Sequence, residues 1–67
     1  MPVTALELLT EREKQIMYLI SEGYTYSSTG QKLLISSQTV KKHLQHIYRK
    51  LEVGNKIEAI NKLRWKK

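Results

Sequence analysis

A chain of 67 residues with 12 Lys and Arg against 6 Asp and Glu, a net charge of +6, and 40% apolar residues makes one small domain that buries only about 60% of its unfolded surface. That leaves little depth for a catalytic cleft, and without cysteine there is neither a disulfide framework nor a thiolate metal site. No apolar run approaches the roughly 18 residues of a membrane span, and nothing at the start reads as a signal peptide, so a cytoplasmic protein with no membrane contact is expected.

The leading segment offers Leu6, Leu8 and Leu9 for packing against whatever follows. Thr10 and Glu13 stand at capping-box spacing. Ile16, Leu19 and Ile20 then share one helical face, and Gly23 supplies a left-handed stop. A first helix is predicted over about 11–22.

The next stretch, "GYTYSSTGQKLL", carries four Ser or Thr and two Gly, a composition usual for loops. An interior Gly costs a helix about 1 kcal/mol relative to Ala, so something must favour Gly30. A helix-turn-helix supplies the reason, because two helices crossing at roughly 90–120° need a small residue where they meet. Gly30 and Val40 are ten residues apart with Leu34-Ile35-Ser36 as the tight connection. A second helix over about 26–34, with Thr25 as N-cap, is therefore expected.

The clearest pattern follows. Ser36 is a suitable N-cap, and Val40, Leu44, Ile47, Tyr48 and Leu51 form one apolar stripe. The opposite face carries Gln38, Lys42, Gln45, His46 and Arg49, with Lys41 on its shoulder. This third helix is predicted over about 37–51. Asn55-x-x-Glu58 then opens a fourth, about 56–65, with Ile57, Ile60 and Leu63 inward and Glu58, Asn61, Lys62 and Trp65 outward. Nothing alternates as a strand does, so the fold class is all-α: a compact four-helix bundle containing a helix-turn-helix.

Charge divides the chain unevenly. Up to Gly30 two bases face four acids, and after it ten bases face two. A basic half of this kind suits a polyanion.

The segment from Leu9 to Ile60 resembles the LuxR-type helix-turn-helix domain, the DNA-binding module of many bacterial response regulators. The resemblance is carried by Leu9-Thr10-x-Arg12-Glu13, Gly23, Leu33, Ile35-Ser36, Thr39-Val40-Lys41-x-His43, Ile47, Lys50-Leu51-x-Val53 and Glu58-Ala59. That family usually has an acidic residue at position 28, Ile at 29, Ala at 30 and Arg at 56, where this chain has Ser28, Thr29, Gly30 and Lys56. The resemblance implies that residues 37–51 are a recognition helix lying in the major groove of double-stranded DNA. It also implies a homodimer on two half-sites, contacting through helix 4, and a receiver domain on the N-terminal side of the full-length protein.

Gln38, Lys42 and Gln45 lie outward on the leading half of that helix, where Lys suits guanine O6 and N7 and Gln suits adenine N6 and N7. Lys41 is placed with them as a base contact, or with Thr39 and Lys50 as a phosphate contact. Ser27, Ser28, Ser36 and Arg49 complete the expected phosphate set. His43 and His46, at i and i+3, lack a third ligand and make no metal site. No nucleophile stands beside a base, so neither an enzyme nor a bound cofactor is expected. Two other readings share the basic face: an adaptor for an acidic protein such as RNA polymerase, and a structural RNA binder.

Overall fold

The structure, a computed structural model, describes residues 5–63. Four α-helices follow a single 3-10 turn at Leu6–Leu8: α1 (Glu11–Ser21), α2 (Tyr26–Leu33), α3 (Ser37–Leu51) and α4 (Lys56–Leu63). There is no strand among the described residues, and the all-α bundle with a helix-turn-helix is as expected. Trp65 lies outside the described residues.

Each helix starts on a side chain that captures an orphan amide. Thr10 Oγ1 accepts from Glu13 N at 3.1 Å, while Glu13 Oε1 accepts from Thr10 N at 2.9 Å. Thr25 and Ser28 repeat the exchange at α2, at 2.8 and 3.0 Å. Ser36 Oγ accepts from Thr39 N at 3.1 Å, and Asn55 Oδ1 from Glu58 N at 2.9 Å. Such caps stabilise by about 1 kcal/mol each.

The helix ends repeat one another as well. Tyr24 N bonds to Leu19 O, Ile35 N to Gly30 O, and Val53 N to Tyr48 O, each closing a Schellman turn around a left-handed residue. Gly23 fills that position after α1. After α2 and α3 it is filled by Leu34 (φ 62) and Glu52 (φ 57), residues for which that conformation is costly. Helix α2 thus stops at Leu33, where the sequence suggested continuation to 34.

Leu9, Ile16, Met17, Ile20, Val40, Leu44, Ile47, Leu51 and Ala59 form the buried core. Three expectations are corrected here. Leu6 and Leu8 are exposed, and only Leu9 of the leading leucines enters the core. In α4, Ile57 is 61% exposed and Ala59 is fully buried. The inward face is Ala59, Ile60 and Leu63, since an eight-residue helix offers two overlapping apolar stripes and the small Ala allows the closer approach. Gly30 is buried, and what crowds it most closely is the turn, ahead of Val40: a Cβ there would stand 2.5 Å from Ile35 O and 3.3 Å from Ser36 C. The backbone of the turn leaves no room for a methyl.

A candidate nucleic-acid interface

Helix α3 is held from three sides, by its apolar stripe, its cap and an ion pair. Val40, Leu44, Ile47 and Leu51 are buried. Ser36 and Thr39 share a hydroxyl contact of 2.8 Å in addition to the capping bond. One proton suffices for that contact, so the second hydroxyl proton is left for an outside acceptor. No acidic residue stands in the first turn of α3, so the positive end of its dipole is not neutralised by the chain itself.

With the stripe buried, the other face is set. Gln38, Lys41, Lys42 and Gln45 are all exposed and together line one shallow concavity. Ser36 and Thr39 join Gln38 and Lys42 around a second one at the helix start. The structure thus brings the four expected base-contacting residues onto one surface, with the cap hydroxyls beside them. Arg49 is exposed too, two turns beyond Lys42 on the same face. Two amides and two cations offer donors that a polyanion with base edges accepts, and the two amides add acceptors for base amino groups.

Other expected contacts are placed differently. Lys50, assigned to a phosphate from the sequence, donates to Glu13 Oε1 at 2.8 Å across 37 residues. The Glu13 side chain is 6% exposed and that of Lys50 39%, so the ammonium is spent on a buried carboxylate. Burial pushes the Glu13 carboxyl up. The hydrogen bond from Lys50, the Thr10 amide and the Lys50 charge outweigh it, leaving the group below its ordinary value. In the sequence Glu13 shows only its capping role, because its partner is 37 residues away in the chain.

Ser27 is exposed at the start of α2, whereas Ser28 is partly buried and its hydroxyl is engaged with Thr25. Burial first, and then electrostatic repulsion from the Tyr26 side, raise the Tyr48 phenol above its ordinary value. In α4, Asn61 and Lys62 are exposed as expected, but the Glu58 carboxylate accepts from Gly54 N at 2.8 Å. That bond turns Glu58 from an outward contact into part of the turn. His46 is exposed and His43 partly buried; no group of three metal-binding side chains occurs among the described residues.

A helix pair joined by a tight turn, whose second member is capped, apolar inside and cationic outside, defines a helix-turn-helix domain of the DNA-binding class. The profile described as "Bacterial regulatory proteins, luxR family" matches residues 7–63. The chain belongs to that family. It is 43% identical over 54 residues to the transcriptional regulatory protein DesR of Bacillus subtilis, covering 81% of this chain and 27% of DesR. It is 43% identical over 53 residues to LiaR of the same organism, covering 79% and 25%. With the response regulator protein VraR of Staphylococcus aureus the identity is 41% over 54 residues, covering 81% and 26%. The chain therefore spans about a quarter of the length of these relatives. No solved structure matches it.

Proposed function

We propose that this domain is the output module of a bacterial transcription regulator and reads double-stranded DNA by laying α3 in the major groove. Gln38, Lys42 and Gln45 face base edges in this reading. Lys41 and Arg49 flank them, and Ser27, Ser36 and Thr39 hold phosphates. The observation that carries it is the gathering of Gln38, Lys41, Lys42 and Gln45 into one exposed concavity on a helix whose opposite face is core.

A receiver domain preceding the chain, of the kind found in two-component response regulators, fits the naming of VraR as a response regulator and the quarter-length coverage. The exposed Asn61 and Lys62 of α4, with Trp65 beyond, then meet a second copy on adjacent half-sites. RNA polymerase is a further partner of the assembled regulator, which acts in the cytoplasm.

Selection of bound duplexes from a random pool tests the reading. One enriched half-site is expected, with Lys42→Ala and Gln45→Ala each costing about 1–3 kcal/mol on it. Equal losses on selected and random DNA would make these residues backbone contacts. Failure to enrich any sequence would favour the adaptor, and enrichment only from an RNA pool the RNA binder.

A further inference from the structure

Beside the concavity that gathers the hydrogen-bonding residues lies a smaller dimple of about 70 Å³, lined by Thr39, Lys42, His43 and His46. Its wall is mainly carbon, which sets it apart on a helix face otherwise made of amides and cations. Lys42 lines both depressions, so they are neighbours across one side chain. Thr39 likewise borders two, facing Ser36 on one side and the histidines on the other. Its hydroxyl is engaged with Ser36 Oγ at 2.8 Å, which leaves its methyl group for the histidine side.

We propose that this dimple takes the C5-methyl group of a thymine, so that Thr39, His43 and His46 read a T·A pair through apolar contact while the adjoining residues read hydrogen bonds. The inference rests on the DNA-binding reading above and deepens it. Three observations meet in it. The dimple lies on the flank of the groove-facing surface, and a thymine methyl also projects at the side of the major groove, near its own strand. The volume admits a methyl group. Lys42 at the rim sets a cation beside the carbon wall, which suits a methyl group carried on a polyanion. A Thr methyl against a thymine methyl is a known form of base readout.

The test replaces each thymine of the selected half-site by deoxyuridine, which deletes the methyl and keeps every hydrogen-bonding group. One position per half-site is expected to lose affinity by roughly fourfold, the worth of one buried methylene-sized group. Thr39→Ser keeps the hydroxyl for Ser36 and removes the methyl, so in that variant the penalty at the same position should fall toward unity. His46→Ala, which opens the other wall, should reduce it as well. A selected site that tolerates deoxyuridine throughout, or a penalty undiminished in both variants, overturns the methyl pocket and leaves the DNA-binding reading standing. If no sequence is enriched from the pool, that reading falls and the pocket falls with it.

Discussion

At position 29 a hydroxyl is sealed in the protein with nothing to bond, for Thr29 is fully buried and its Oγ1 has no partner. An unsatisfied buried hydroxyl is destabilising by about 1–3 kcal/mol. Thr29→Val keeps the branched shape and is expected to raise stability by about 1 kcal/mol, read as an increase in thermal midpoint. Gly30, its neighbour, behaves in the opposite sense. Helix propensity alone favours Gly30→Ala by about 1 kcal/mol, but the added methyl meets the Ile35 carbonyl at 2.5 Å. Backbone in a tight turn cannot step aside as a side chain can, and overpacking is worth about 1–3 kcal/mol. The variant is expected to melt lower than the parent; a higher melt would show that the turn yields. The sequence pointed to Gly30 as a contact but not to the Ile35 carbonyl as its nearest neighbour, since spacing to Val40 says nothing of carbonyl directions.

Among the elements, α2 is closed by a left-handed leucine that is 91% exposed. Its side chain gains little from burial, so the strained backbone has no packing to offset it. Leu34→Gly is expected to stabilise by about 0.5–1 kcal/mol, because relief of the left-handed strain exceeds the extra chain entropy of glycine; chemical denaturation would read it. Between elements, the Glu13–Lys50 pair ties α1 to α3. Glu13 has a folded pKa below its ordinary 4.5, so the pair's contribution is complete above that value and is lost as pH falls through the lower, folded one. Lys50→Met should cost about 1–3 kcal/mol at neutral pH by stranding a buried carboxylate, toward the low end because the lysine is partly in water. It should also flatten the acid limb of the stability profile. Caps and stripes were legible because they are local patterns of three to eleven residues. The ion pair was not, being written 37 residues apart, and neither was the inward face of α4, where Ala59 and Ile57 competed over only two turns.

For the molecule as a whole, the basic excess of the second half is less available to DNA than the sequence suggests. Lys50 is neutralised by Glu13, leaving Lys41, Lys42 and Arg49 as the cations of the exposed α3 face. With Lys42 on base edges in the proposed reading, two neutralised phosphates per domain, at Lys41 and Arg49, imply a slope of log K against log salt of about −2. Lys50→Met should leave that slope unchanged at a temperature where the variant is folded, whereas Arg49→Ala should reduce its magnitude by roughly one. A shallower slope in Lys50→Met would show that the ammonium leaves Glu13 for the duplex. The candidate site was otherwise readable as a surface because α3 has one sharp apolar stripe, and whatever is not stripe must face out. Its subdivision into a polar concavity and a carbon-walled dimple was not, since that depends on rotamers set by the Ser36–Thr39 contact. That contact and the crowding at Gly30 are both made upstream of Val40, and the Lys50 tether is made downstream of Gln45. The stretch between holds Lys41, Lys42 and Gln45, which take part in no interhelical hydrogen bond among those described. In the proposed reading the letters at 41, 42 and 45 thus stand apart from that anchorage and can be respelled without renegotiating the fold, whereas Thr39, tied to Ser36, belongs to both.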